Sequence, residues 1–298
     1  MIIATETRNQ PRDRLPNFLI IGAMKAGTTS LYHYLRPHPE VFMPGIKELD
    51  FFAEEGNWRR GFDWYAKQFQ DAGPSALALG EASTVYTKHP HYRGVPERIA
   101  AHLSDVRLIY VVRDPIDRIR SHYQHRVAVG AENAPVDRAV LQNPIYLDYS
   151  RYALQIEQYL PYLPRDRLLV ITSESLRSDR SATIRRVYTF LAVSPDFVPP
   201  TLDREFYRTE GRPVYPPAVW ALRRAARRWV PGAKRAKEWV DSIGVWRRLA
   251  GSRHTARPGN DGLKIPDNVR RIVERRLADD VGRLREYLPA DFDGWGLA

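Results

Sequence analysis

The chain has no cysteine in its 298 residues, which excludes a disulfide framework, a thiolate metal site and a cysteine nucleophile. Long apolar runs are missing as well. Nothing approaches the ~20 consecutive apolar residues of a membrane-spanning helix, and the opening MIIATETRNQPRDRLPN lacks the apolar core of a secretory leader. These absences set the expectation of a cytoplasmic protein whose first sixteen residues form a flexible tail. Internal repeats and low-complexity tracts are also lacking, so solenoid and fibrous architectures drop out.

What is present suffices for a packed core. The chain is 43% hydrophobic, and its length suits one large α/β domain, residues 17–298, with a C-terminal helical elaboration. Charge is unevenly spread: of the formal net charge of +11, most falls between Trp220 and Arg257, where eleven Lys/Arg face only Glu238 and Asp241. Local basicity of this kind points to an anionic partner, whether nucleic acid, membrane surface or acidic substrate. Four tryptophans lie among these arginines. Residues 204–260 therefore read as a basic, Trp-rich helical insertion that packs on the main domain, covers a cleft as a lid, or makes a peripheral membrane contact through residues 220–249.

The stretch Asn17–His38, NFLIIGAMKAGTTSLYHYLRPH, organises the rest. Phe18–Ile21 is a short apolar run suited to a buried strand, and Thr28–Leu35 reads as a helix stopped by Pro37. Between them Gly22 and Gly27 have the spacing of a phosphate-cradling loop, in which backbone N–H groups converge on an anion at a helix start. Lys25 adds a charge, and Thr28, Thr29 and Ser30 add hydroxyls. In a nucleoside-triphosphate loop the lysine follows the second glycine, whereas here Thr28 holds that place. A plain strand-to-helix turn fits the same two glycines.

Further along, the loop Pro44–Phe52 (PGIKELDFF) sets Glu48 and Asp50 between Lys47 and two phenylalanines. A carboxylate beside apolar rings is expected to have a raised pKa, which suits a general base; the alternative is a loop whose rings pin it to the core while its charges face water. Trp58–Phe69 reads as one short helix and Leu77–Glu81 as a strand ending in GEAST, with Glu81 at the carboxyl end where ligands of open α/β sheets collect. A helix over Val95–Leu103 leads to a strand over Arg107–Val112, then Arg113-Asp114-Pro115 and a helix carrying Ser121. Arg113 and Ser121 could reach one phosphate; equally, Asp114 could be an ordinary cap and Arg113 a surface ion pair. Tyr152–Leu163, Ile184–Leu191 and Pro266–Leu288 read as helices and Arg167–Thr172 as a strand. Strands alternating with helices give a mainly parallel sheet covered on both faces.

With GAMKAGTTS, KELDFF, GEAST and VVRDPIDRIRSHY in this order, the chain resembles the sulfotransferases that use 3′-phosphoadenosine 5′-phosphosulfate, in particular the glycan branch and its bacterial relatives. The resemblance runs from about Asn17 to Leu191. It implies a P-loop-like three-layer α/β/α fold. It further implies that Lys25, Ala26, Gly27, Thr28, Thr29 and Ser30 hold the 5′-phosphosulfate, that Arg113 and Ser121 bind the 3′-phosphate, and that Glu48 is the base. Lys47, Asp50 and Glu81 fall on the acceptor side. Asp50 stands where these relatives often have histidine, and Ala82 where they often have lysine. Lys25 would counter charge on the leaving phosphate, with no metal required.

The expected reaction moves a sulfuryl group to a hydroxyl of a carbohydrate or other small, anionic or neutral acceptor, with no nucleic-acid partner. A P-loop-like small-molecule kinase is the first alternative. A non-catalytic polyanion- or membrane-binding protein is the second, resting on the basic segment.

Overall fold

The computed structural model describes residues 14–53, 55–204, 206 and 263–297. Five strands, β1 (Phe18–Gly22), β2 (Val41–Phe42), β3 (Ala78–Ala82), β4 (Arg107–Val112) and β5 (Leu168–Thr172), form one sheet in the order β2-β3-β1-β4-β5. Every pairing is parallel. The inner strands are near-continuous apolar runs because helices flank the sheet, so β1 and β3 are buried along their whole length.

The helices are α1 (Thr28–Leu35), α2 (Glu55–Trp58), α3 (Phe62–Ala66), α4 (Val95–His102), α5 (Pro115–Ala128), α6 (Val136–Gln142), α7 (Ile145–Asp148), α8 (Tyr152–Glu157), α9 (Ser175–Ser178), α10 (Arg180–Leu191) and α11 (Asp267–Leu284). The expected α/β class and C-terminal helix are present. Three local expectations need correction. Trp58–Phe69 is not one helix: the chain breaks at Gly61, whose φ of 80° leaves the helical region, and resumes as α3 and a tight turn over Lys67–Phe69. The helix begun at Tyr152 ends at Glu157, short of Pro161. Helix α10 starts at Arg180 rather than Ile184, its first turn being mostly exposed and so without an apolar pattern.

Residues 14–16 are not a tail. Arg14 donates to the carbonyls of Ala72 and Gly73, and Pro16 is buried. The segment 204–260, expected to be a helical insertion, lies almost wholly outside the described residues.

The described chain groups into two units rather than one undivided body. The first takes in residues 14–118, 147–206 and 274–297, and the second residues 119–146 and 263–273. The sheet belongs to the first. There the C-terminal helix is tied in by Asp280, whose carboxylate accepts from the backbone N–H groups of Ala153 (3.1 Å) and Leu154 (2.9 Å) at the start of α8. Such a cap satisfies orphan donors of a helix end and is worth about 1 kcal/mol. Burial pushes the Asp280 carboxyl up to about 6, against those two hydrogen bonds. In the second unit, the Tyr123 hydroxyl donates to the Ala134 carbonyl at 2.9 Å and that of Tyr146 to Glu132 at 3.1 Å.

Candidate active site

Strand β1 lies between β3 and β4: the chain leaves it toward β2 on one side and, after β3, crosses to β4 on the other. The crevice at the carboxyl end of such a central strand is where open α/β sheets bind ligands. The loop from Ala23 to Gly27 starts there. Its two glycines are needed for different reasons. At Gly22 a Cβ would come within 2.0 Å of the Thr87 hydroxyl oxygen, which donates to the Ile21 carbonyl. At Gly27 the φ is 103°, which turns the chain into α1. The Ala23 amide donates to Val111 and the Ala26 amide to Ala23, closing the turn. Helix α1 has no side-chain cap at Gly27 and no acidic residue in its first turn, so its N–H groups and positive end suit an anion.

Arg113, at the end of β4, reaches this loop: one guanidinium nitrogen donates to the Lys25 carbonyl at 3.3 Å and another contacts Asp117 at 3.3 Å. Its Nε is buried with no hydrogen-bond partner. The Tyr152 hydroxyl donates to the Arg113 carbonyl at 2.7 Å and fixes the backbone there. Asp114 does cap α5, accepting from the amides of Ile116 and Asp117. The cap and the reach to the loop thus coexist.

The remaining predicted donor residues divide. Ala26 and Thr28 are buried and Thr29 is partly exposed in the turn. The Ser30 hydroxyl donates to the Phe206 carbonyl at 3.2 Å, so it also anchors a distant segment. Ser121 is buried on the portion of α5 in the second unit.

On the other side of β1, the KELDFF stretch forms a strap over the end of β3. Phe51 and Phe52 are fully buried; Phe51 stacks on Tyr65 (4.5 Å, 12°) and Phe52 meets Tyr86 edge-on at 5.9 Å. Pairs of this kind add about 0.5–1.5 kcal/mol beyond burial. The Glu48 amide donates to the Ala82 carbonyl (3.0 Å) and the Asp50 amide to the Ser83 hydroxyl (2.9 Å). Ala82 is in register with Ile20 of β1, so the strap's anchor neighbours the strand that feeds the loop.

The expected rise in the Glu48 pKa is corrected. Burial does push it up, but the Lys47 ammonium, which donates at 2.9 Å, with Lys88 and the Thr84 hydroxyl, brings the carboxyl below the ordinary glutamate range. The rings that were to raise it point into the core instead. Glu48 is therefore ionised at neutral pH and able to accept a proton. Lys88, which nothing in the apolar pattern singled out, lies over the Tyr149 ring at 5.6 Å. Burial lowers its pKa while Asp50 and Glu48 pull it back up.

Glu81 is not an acceptor-facing group. It is 1% exposed, and its two oxygens accept from the Tyr86 hydroxyl and the Ser83 hydroxyl, each at 2.6 Å. Sequence reasoning placed it correctly at the strand end but could not see that end roofed by the strap.

Backbone strain marks the same places. Among the described residues, the non-glycine positions with positive φ are Lys25 (73°), Glu48 (63°), Asp50 (50°), Ala192 (58°) and Trp295 (56°). Three of the five fall in the loop and strap. Each left-handed residue costs about 1–2 kcal/mol and persists only where surroundings over-determine it, a pattern typical of functional sites.

Residues 15–205 match the family profile described as "Sulfotransferase domain". The chain belongs to the sulfotransferase family. It is 31% identical over 211 residues to the mouse bifunctional heparan sulfate N-deacetylase/N-sulfotransferase 4, covering 64% of this chain and 24% of the relative. It is 32% identical over 214 residues to the mouse heparan sulfate glucosamine 3-O-sulfotransferase 3A1, covering 67% and 51%. The chain thus spans about a quarter of the first relative's length and half of the second's. A solved sulfotransferase from Alicyclobacillus acidocaldarius superposes with a TM-score of 0.66 at 24% identity, covering 95% of this chain and 99% of that one. That likeness is one of fold, and it bears out the sulfotransferase-type α/β architecture. No group of three or more His, Cys, Asp or Glu able to hold a metal ion occurs among the described residues.

Proposed function

We propose that the protein transfers a sulfuryl group from 3′-phosphoadenosine 5′-phosphosulfate to a hydroxyl of a carbohydrate or other small acceptor. The observation that carries this reading is the reach of Arg113 to the Lys25 carbonyl, with a buried, unpartnered Nε. A lysine-bearing loop and a guanidinium with spare donors suit a ligand with two separate anionic groups. When bound, the donor supplies the sulfuryl group and departs as adenosine 3′,5′-bisphosphate.

This chain's residues then have distinct work. The first-turn amides of α1, with Thr28 and Thr29, bind the 5′ end, and Lys25 counters the charge that grows on the leaving phosphate. Arg113 takes the 3′-phosphate. Glu48 accepts the acceptor's proton, its ionised form secured by Lys47 and Lys88. The relatives named for heparan sulfate support a carbohydrate acceptor, and those named N-sulfotransferase favour a glucosamine amine as the second acceptor reading.

Calorimetric titration with adenosine 3′,5′-bisphosphate, with ATP as comparison, tests the donor half. Micromolar binding that is lost in Arg113→Ala supports it, and Ser121→Ala tests the role expected of that serine separately. Binding of ATP alone would return the question to a kinase. Transfer of labelled sulfate from the donor to an N-desulfated heparan oligosaccharide tests the acceptor half.

A further inference from the structure

Lys88 enters the reading above only as a charge that keeps Glu48 ionised, yet it is held more firmly than that task needs. The backbone is pinned on both sides of it. Before it, the Thr87 hydroxyl donates to the Ile21 carbonyl of β1 at 3.1 Å. After it, the His89 amide donates to the Gln155 side-chain oxygen at 2.8 Å, and the Gln155 nitrogen donates to the carbonyls of His89 (2.9 Å) and Asp148 (3.1 Å). The side chain lies against the buried ring of Tyr149, with its ammonium 5.6 Å from the ring centroid. Backbone and stem are thus restricted before any ligand arrives, which lowers the entropy lost when the ammonium binds something.

The ammonium itself has work to spare. Among the described residues it makes no hydrogen bond and no ion pair, whereas the Lys47 ammonium is engaged with Glu48 at 2.9 Å. The charged groups around it are Asp50, Glu48 and Lys47 from the strap and Arg118 from α5, the helix that follows Arg113. Lys88 is partly buried, and a shielded charge without a partner is costly unless an opposite charge meets it.

Its place in the chain joins the two halves of the site. It follows the tight turn Thr84–Thr87. At the head of that turn the Thr84 hydroxyl bonds to Glu48, the proposed base. At its end Thr87 abuts Gly22, where the donor loop begins. A group passing from donor to acceptor travels between those two points.

We propose that Lys88 is a further catalytic residue, whose ammonium binds the non-bridging oxygens of the sulfuryl group during transfer. This deepens the sulfuryl-transfer reading and rests on it. In that step the acceptor atom forms a bond to sulfur while the bond from sulfur to the bridging oxygen of the phosphosulfate breaks. The electron pair of the broken bond stays on the departing adenosine 3′,5′-bisphosphate, and the acceptor's proton goes to Glu48. Lys88 keeps its own proton throughout and acts only by donating. An ammonium has three rotatable donors and no acceptor, so it can follow oxygens that swing as sulfur changes partners. Lys25 serves the leaving phosphate, and Lys88 the group that moves.

The test compares wild type with Lys88→Met, which keeps an apolar stem over Tyr149 and removes the charge, and with Lys88→Arg. The first readout needs neither acceptor nor turnover: calorimetry with 3′-phosphoadenosine 5′-phosphosulfate, which carries the sulfuryl group, beside adenosine 3′,5′-bisphosphate, which lacks it. Lys88→Met is expected to weaken the first about tenfold and the second less than twofold, and Lys88→Arg to recover part of the difference. The second readout is sulfate transfer to an N-desulfated heparan oligosaccharide at pH 8, where Glu48 is ionised with or without Lys88. There kcat of Lys88→Met is expected to fall about 100-fold with the acceptor KM within about threefold.

Loss of the selectivity between the two nucleotides overturns the proposal, whether both affinities fall together or neither does. A rate loss confined to acid also overturns it, since Lys88 would then serve only the ionisation of Glu48. A raised acceptor KM with kcat intact does so too, by placing the ammonium on the acceptor. Against a wild type that binds both nucleotides and transfers sulfate, each of these results counts against Lys88 alone. A wild type that binds neither nucleotide sinks the sulfuryl-transfer reading itself, and this proposal with it.

Discussion

The loop after β1 and the strap over the end of β3 stand at neighbouring strand ends, yet they are held in different ways. The loop is fixed by its own backbone: Gly22 packs against Thr87, Gly27 takes a left-handed turn, and the amides of Ala23 and Ala26 are satisfied locally or by β4. The strap is fixed from outside, by aromatic rings below it and by side chains of the strand it covers. A region that carries its own geometry survives side-chain change better than one that borrows it. The difference suits the proposed division of labour, because anion binding uses backbone amides whereas proton transfer needs one carboxylate at one place.

The contrast is broken most severely on the strap side. Glu48→Gln is expected to lower kcat by ~100-fold or more while donor affinity stays within about twofold. Steady-state turnover and calorimetry check this together, and near-normal turnover would remove Glu48 as base. On the loop side the largest effect is expected from Arg113→Ala, which removes charge-assisted bonds worth about 1.5–3 kcal/mol each and should weaken adenosine 3′,5′-bisphosphate binding by roughly 10–100-fold. Unchanged affinity would detach Arg113 from the donor.

A pH series sharpens the comparison through stability. Glu81 and Asp280 both have carboxyls raised in the fold, to about 7 and about 6, chiefly by burial. A raised acid stabilises the fold fully below its unfolded value and loses that contribution as pH climbs through the folded value. Stability is therefore expected to fall between about pH 4 and 7 by an amount on the order of a few kcal/mol, with Glu81→Gln and Asp280→Asn each flattening part of the slope. Urea midpoints across that range measure it; stability rising with pH and untouched by either variant would contradict the burial argument.

Gly22→Ala crowds the Thr87 hydroxyl and is expected to cost about 1–3 kcal/mol of folding free energy, read from the same midpoints. The smallest effect is expected from Tyr152→Phe. Losing its bond to the Arg113 carbonyl should cost about 1 kcal/mol and weaken donor binding only a few-fold. A loss as large as that of Arg113→Ala would mean the loop side also borrows its geometry.

Much of the fold was legible because it is written in short-range pattern. Apolar runs marked β1, β4 and β5, and Thr28–Leu35 matched α1 end to end. Misread elements failed where pattern is weakest: Gly61 split a helix that apolar spacing joined, and an exposed first turn hid the start of α10. The basic, Trp-rich stretch falls outside the described residues.

By itself the sequence determined the parallel α/β sheet, the glycine-bounded loop with its inward lysine, and the order of four motifs that points to the sulfotransferases. Each depends on neighbours along the chain: hydrophobic period, glycine spacing, a proline stop. Only the tertiary structure decided that Arg113 reaches Lys25, that Lys47 and Lys88 lower the Glu48 carboxyl instead of the phenylalanines raising it, and that Glu81 is a buried anchor beneath the strap. The physical reason is common to all three. Burial, charge and hydrogen-bond geometry at a side chain are set by the direction the folded backbone gives it and by what packs against it, whether a neighbour such as Lys47 or a distant residue such as Lys88, and local pattern records neither.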